Sequence, residues 1–213
     1  MSANNPTLPD FATAQADLAK IGLVDVSRET VDKLLRYLTL LGQWQPKINL
    51  VSNSTVKDGW MRHIIDSAQL VPHIDESVKA LTDIGSGAGF PALVIAILRP
   101  DITVTVVESD TRKCAFMRTV ARETGVTLVV DNKRIEDHPW GDVDMITARA
   151  LASLQLLLTY THPAATAKLL FLKGERWQEE LDQAGDLSMF HVKHWPSATG
   201  ANAIILSLNP VRN

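Results

Sequence analysis

The 213-residue sequence holds a single cysteine, Cys114, which excludes an intramolecular disulfide framework, a CxxC redox pair and any zinc site built on several thiolates. Its six histidines show no metal-ligand spacing. Long hydrophobic runs are missing as well. The longest, Pro91–Leu98, falls far short of the ~20 residues a membrane span requires. Met1–Asp10 has neither the basic region nor the apolar stretch of a secretory signal, so a cytoplasmic, soluble protein without membrane or metal is expected. Glycine (11) and proline (10) are too scarce for a collagen-like or low-complexity chain, and 46% apolar against 21% charged residues excludes disorder. Charge of one sign is lacking too. With 21 Lys plus Arg against 24 Asp plus Glu, the net −3 attracts no polyanion by itself, so a nucleic-acid partner would need a local cluster of cations.

What is present divides the chain by pattern. Residues 1–75 read as a helical extension: a helix around Phe11–Lys20, an amphipathic helix over 27–45 capped by Ser27, and a third over Gly59–Leu70 capped by Asp58. Residues 76–213 alternate short apolar runs with helical segments, the signature of a parallel sheet with crossover helices. Seven strands are predicted, at Val78–Ile84, Ile102–Glu108, Val126–Val130, Val143–Ala148, Ala167–Lys173, Phe190–His194 and Ala203–Leu208. Helices are expected between the first five, and the last two are joined by the polar stretch Trp195–Asn202, too short for a crossover helix, which makes a terminal antiparallel pair. No linker separates the two parts, and one compact monomeric unit is expected.

The most informative segment is Asp83-Ile84-Gly85-Ser86-Gly87-Ala88-Gly89-Phe90-Pro91, where a strand runs into glycines and Pro91 opens a helix. Its GxGxG spacing is not the GxGxxG of dinucleotide sites, which counts against an NAD-dependent oxidoreductase. The next strand ends at Glu108, a carboxylate able to accept hydrogen bonds from both hydroxyls of a ribose. Taken alone, the glycines need only make a tight turn and Glu108 need only be a solvated strand end. Strand, turn, proline-led helix and distant acid together point to an adenosine-containing ligand at the C-terminal edge of the sheet.

This arrangement resembles the class I S-adenosylmethionine-dependent methyltransferases, whose first motif has the form seen at Asp83–Gly89, and the terminal strand pair fits them. The resemblance implies a Rossmann-like, seven-stranded, mostly parallel sheet with S-adenosylmethionine over the glycine turn. Methylation of exocyclic amines usually calls for an Asn/Asp-Pro-Pro-aromatic motif after the fourth strand, but here that strand runs into Thr147-Ala148-Arg149-Ala150. Methylation at pyrimidine C5 needs a nucleophilic cysteine, and Cys114 falls on the apolar face of a helix with Phe116, Met117 and Val120. A nucleophile with no proton to lose, such as guanine N7, needs neither device.

Six segments together, the glycine turn among them, resemble the glucose-inhibited division protein B (RsmG) family of 16S rRNA guanine-N7 methyltransferases. They are Trp44 with Lys47-Ile48-Asn49-Leu50, Arg62-His63-Ile64-Ile65-Asp66-Ser67, the 85–91 turn, Arg134-Ile135-Glu136, Arg149-Ala150 and Leu172-Lys173-Gly174. The resemblance covers most of the chain and implies a guanosine near the decoding centre as substrate, with consequences for the response to streptomycin. It places cofactor contacts on Asp83, Gly85, Gly87, Gly89 and Phe90, on Glu108 and Ser109, on Ile135 and Glu136, and on Arg149, which also faces the transfer site. The chain departs from the family where Ala92-Leu93-Val94 replaces a further glycine after the proline. Read as residues alone, Phe90 and Ile135 are equally ordinary core, Glu136 a turn cap, and Arg149 a partner for Asp83 or Asp144.

RNA would be held by cations. Arg112, Arg118 and Arg122 share an arc of about 120° on the helix after Glu108, with Lys113 near the crevice mouth. Arg62, His63, Lys47 and Lys173 are further candidates. A solvated helix face for the arginines, and a satisfied helix histidine for His63, are the plainer alternatives. A small-molecule acceptor on the same fold and a cofactor-binding module without catalysis also remain open at this point.

Overall fold

The computed structural model describes residues 5–211, so residues 1–4 of the Met1–Asp10 segment lie outside it. Two helices open the extension. α1 (Phe11–Lys20) is capped by Asp10, which accepts the Thr13 N–H at 2.8 Å. α2 (Arg28–Trp44) is capped by Ser27, which accepts the Thr30 N–H at 3.1 Å. Leu34, Tyr37, Leu38 and Leu41 form the buried stripe of α2. The third helix differs from expectation. After a short α3 (Asn53–Val56), the chain makes a π-helical turn, Trp60–Ile65, then α4 (Asp66–Ala68) and a single 3₁₀ turn at Val71–His73. Asp58 contributes only its main-chain carbonyl, to Arg62 N–H at 2.9 Å, and no side chain caps the turn.

The sheet follows: β1 (Ala80–Ile84), β2 (Thr103–Val107), β3 (Val129–Asp131), β4 (Met145–Arg149), β5 (Lys168–Lys173), β6 (Phe190–Pro196) and β7 (Ile204–Pro210), in the order β3-β2-β1-β4-β5-β7-β6. The first five strands are mutually parallel, and β7 runs antiparallel to both β5 and β6. Strand order reverses between β1 and β4, which opens a crevice at the C-terminal edge. α5 (Ala92–Leu98), α6 (Thr111–Thr124), α7 (Leu154–Thr161) and α8 (Trp177–Gln183) flank the sheet.

Alternation along the strands sorts their side chains into two cores. Val104, Val106, Leu170 and Leu172 join the extension, α5 and α6 on one face. Val107, Ile146, Ala148, Leu169 and Phe171 join α7 on the other. The extension thus shares a core with the first crossover helices. Burying an aliphatic side chain contributes about 1.5–3 kcal/mol, so α2 is held by packing rather than by propensity.

Three further expectations need correction. β3 begins at Val129 because Gly125 (φ +68°) ends α6 left-handed, and the Gly125 and Val126 N–H groups turn back to the Ala121 carbonyl, withdrawing Val126 from the sheet. No α-helix joins β3 to β4. That link, which carries Pro139 and Gly141, makes one 3₁₀ turn, Ile135–Asp137. Pro91 also stands one place earlier than expected, as the residue preceding α5 rather than in its first turn.

Candidate active site

The strand ends of β1, β2, β4 and β5 surround a cavity of about 750 Å³, within the size range of cofactor sites. Its floor is the glycine turn. Gly85 (φ +63°) takes a left-handed conformation, and a Cβ there would lie 2.4 Å from Leu151 Cδ1. The Gly85 and Ser86 N–H groups bond the Val107 carbonyl at 2.9 and 3.3 Å and lock the turn to β2. Over Gly87 (φ +58°) the space is open, the nearest atom to a Cβ being the Gly85 carbonyl at 4.0 Å. Gly89 (φ +91°) lies beneath the cavity wall, where a Cβ would meet Leu93 at 2.5 Å.

Glu108 is buried at the end of β2. One carboxylate oxygen accepts the Gly87 N–H and the other the Asp110 N–H, both at 2.8 Å. This carboxylate ties the glycine turn to the cap of α6 and keeps a free lone pair on each oxygen for a ligand. Asp110 caps α6 by accepting the Arg112 N–H at 2.8 Å. Ser109, Ile135 and Glu136 line the same side of the cavity. Cys114 lies beneath in the core, its thiol donating to the Glu108 carbonyl at 3.3 Å and its pKa raised first by burial.

Asp83 does not line the cavity. It is buried under the turn, where Oδ1 accepts the Thr147 hydroxyl at 2.6 Å and Oδ2 has no hydrogen-bond partner among the described residues. Burial pushes its pKa up to about 6, opposed by the nearby Ser86 hydroxyl, which bonds the Asp83 main-chain carbonyl at 2.9 Å, and by the Thr147 hydrogen bond.

The opposite wall is aromatic and charged. Phe90 is stacked between Tyr37, 4.7 Å between centroids, and His63 at 5.1 Å, and the Tyr37 hydroxyl donates to the Ala88 carbonyl at 2.6 Å. Phe90 is therefore both core and cavity wall. The Arg149 guanidinium lies 4.9 Å over its ring. Arg149 pairs with neither Asp83 nor Asp144: its NH1 donates to Asp66 Oδ2 and the Arg62 carbonyl, both at 3.1 Å, and to His63 Nδ1 at 3.3 Å. Because Nδ1 accepts, the histidine proton resides on Nε2, facing Thr55 Oγ1 at 3.0 Å. Burial, then the charges of Arg149 and Arg62, holds the His63 pKa down to about 3, so the ring stays neutral.

The cations expected to meet RNA separate. Lys113 and Arg62 reach the cavity rim. Lys173 lines the cavity but is 7% exposed, its ammonium held by the Glu180 carboxylate and, at 3.0 Å, by the Ala152 carbonyl. Arg118 and Arg122 lie outside the cavity, beside the Val130 carbonyl (3.4 Å) and Glu123 (3.4 Å), and Arg112 pairs with Asp110 at 3.3 Å. Lys47 is exposed and lines no part of the cavity.

Among the lining residues that the sequence did not single out as site residues are Val51, Ser52 and Thr55, Asp66, Lys133, Arg134, Leu151, Tyr160 and the β6–β7 connector at Ser197, Thr199, Gly200 and Ala203. The connector carried a usable signal. A β7 antiparallel to β5 must start where β5 ends, and Ile204 indeed pairs with Lys173, which brings the polar connector to the crevice edge.

The family model described as GidB, rRNA small subunit methyltransferase G, matches residues 30–203. The chain belongs to the rRNA small subunit methyltransferase G family. It is 43% identical over 194 residues to the protein of that name from Ruegeria sp. (strain TM1040), covering 88% of this chain and 94% of the relative. With the namesake from Parvibaculum lavamentivorans it shares 46% over 193 residues, 87% of this chain and 85% of the relative. Among solved structures, a ribosomal protein L11 methylase from Lactobacillus delbrueckii subsp. bulgaricus superposes with TM-score 0.57 at 13% identity, over 71% of this chain and 79% of that one. A SAM-dependent methyltransferase from Aquifex aeolicus gives 0.54 at 14% identity, over 72% and 93%. The fold of this rRNA small subunit methyltransferase G family member is that of the class I S-adenosylmethionine-dependent methyltransferases.

Proposed function

We propose that this protein transfers a methyl group from S-adenosylmethionine to N7 of a guanosine in 16S rRNA. The observation that carries the reading is the division of one cavity into a ligand-accepting half, the glycine turn with Glu108, and a half whose ionisable groups are already engaged. The first half fits the cofactor: open backbone over Gly87, unused lone pairs on Glu108 for ribose hydroxyls, and Ile135 as an apolar surface for a purine. When bound, S-adenosylmethionine supplies a methyl group on a cationic sulfonium.

The second half fits an acceptor that loses no proton. His63 is neutral, receives a hydrogen bond from Arg149 and faces Thr55, while Asp66 is held by Arg149 and Thr199. Neither is poised as a general base, and guanine N7 attacks through a lone pair without needing one. The protein's task is then alignment, with Phe90 fixed between two rings and Arg149 held by three acceptors. Arg62, Lys113, Lys133 and Arg134 on the rim supply cations for the RNA backbone.

The test is incubation with labelled S-adenosylmethionine and small subunits from a strain lacking the protein, followed by nucleoside mapping. Label in 7-methylguanosine is expected. Label in another nucleoside, or none, overturns the reading.

A further inference from the structure

Arg149 brings a permanent positive charge into the cavity. If the cavity also takes a sulfonium, two cations share one partly enclosed space, and their repulsion works against binding. Of the three acceptors on Arg149 NH1, the Arg62 carbonyl and His63 Nδ1 are neutral, and only Asp66 Oδ2, at 3.1 Å, is a carboxylate. The Asp66–Arg149 pair is largely shielded, with 21% and 17% of the two side chains exposed.

Asp66 is itself fixed from a second direction. Its Oδ1 accepts the Thr199 hydroxyl from the β6–β7 connector and the Gln69 Nε2 at 3.1 Å. Gln69 in turn accepts the Ala198 N–H at 2.7 Å. The carboxylate is therefore held where the extension, the connector and β4 meet, directly after a π-helical turn, a local geometry that recurs at functional sites. Of the other carboxylates around the cavity, Glu108 serves Gly87 and Asp110, Asp83 lies under the turn bonded to Thr147, and Glu136 lines the side across from Arg149.

Resting on the proposed use of S-adenosylmethionine, we propose that Asp66 is the positioning residue that aims Arg149 and neutralises it, so that the cavity admits a cationic sulfonium beside a guanidinium. This assigns Asp66 a measurable preference. S-Adenosylmethionine carries the sulfonium charge and S-adenosylhomocysteine does not, while the two share adenosine, amine and carboxylate. A loss of packing weakens both alike, whereas a loss of charge balance weakens only the first.

The experiment is calorimetric titration of the full chain with each ligand. Asp66→Asn is expected to weaken S-adenosylmethionine binding about tenfold and S-adenosylhomocysteine binding less than about twofold. Arg149→Gln, which leaves the carboxylate unopposed, should move the ratio of the two affinities the other way, and the double variant should return it to the wild-type value within about twofold. Asp66→Glu, which keeps the charge, should preserve the ratio. Equal weakening of both ligands in Asp66→Asn, or no change in either, overturns the proposal. If Asp66→Asn fails to fold, an unchanged ratio in Arg149→Gln overturns it just as well. Wild-type protein that binds neither ligand removes the proposed function itself, and this proposal with it.

Discussion

The two walls of the crevice are built by different means. One is made of backbone and strand ends: the glycine turn, Glu108 and the 3₁₀ turn at Ile135–Asp137, with each key contact running between neighbouring strands. The other is made of side chains carried by segments far apart in the chain, with Arg149 reaching 83 residues back to Asp66, and Asp66 reaching 133 residues forward to Thr199. A wall set by backbone geometry depends on a few glycines and tolerates change elsewhere. A wall set by a side-chain network can be detuned one atom at a time without unfolding the protein.

The largest expected effect breaks the side-chain wall. Arg149→Ala should lower turnover about hundredfold while costing only about 1–2 kcal/mol of stability. Denaturant unfolding alongside single-turnover kinetics measures both, and a stability loss as large as the kinetic one reduces Arg149 to a structural role. Gly85→Ala attacks the other wall, through a left-handed backbone and a collision with Leu151. Cofactor affinity should fall about thirtyfold with RNA affinity unchanged, and titrations with the two ligands separate the outcomes.

The difference between the walls also decided what could be read beforehand. The turn, Glu108 and the succession of seven strands were legible because each is a local pattern with a local cause: left-handed glycines, a strand end, an apolar period. The expected helix between β3 and β4 is absent, and α8 was not anticipated. The helix α2 was legible by its cap, Ser27, and its apolar period, whereas the Asp10 cap of α1 is seen only in the structure. β3 was misplaced because Gly125 acts as a helix terminator rather than a strand neighbour, which hydrophobicity does not record. The π-helical turn at Trp60–Ile65, and Arg149's choice of Asp66 over Asp83 and Asp144, come from tertiary contacts that no spacing encodes. Lys173, a candidate RNA contact by sequence, is buried, its ammonium paired with Glu180 on a later helix that strand patterning does not reveal.

A third test uses pH to sharpen the contrast, since Asp83 under the glycine turn and His63 on the opposite wall are buried groups whose pKa values are displaced in opposite directions. His63, ordinarily near 6.5 and here about 3, contributes stability that is complete above pH 6.5 and lost as pH falls toward 3. Asp83, raised from 3.8 to about 6, contributes stability that is complete below pH 3.8 and lost as pH rises to 6. Between pH 4.5 and 6 the two slopes oppose each other. On acidification across that window, His63→Gln should gain about 2 kcal/mol relative to wild type, and Asp83→Asn should lose about the same. Urea unfolding at the two pH values checks it; parallel curves for all three proteins would contradict it.

The smallest effect concerns RNA. Reversing Lys133 and Arg134 on the rim should weaken RNA binding several-fold and lower its salt slope by about one per charge. Reversing Arg118 and Arg122, outside the cavity, should do the same to a smaller extent, and neither pair should change cofactor affinity. Filter binding across a salt series tells them apart.

The most direct test of two walls for two ligands is hydrogen exchange on the intact protein, first with S-adenosylhomocysteine and then with a 16S rRNA fragment added. The account expects the first ligand to slow exchange at 85–89, 108–110 and 134–136, and the second to slow it at 50–55, 62–63 and 197–203. Protection of both sets by S-adenosylhomocysteine alone, or of neither by RNA, would contradict it.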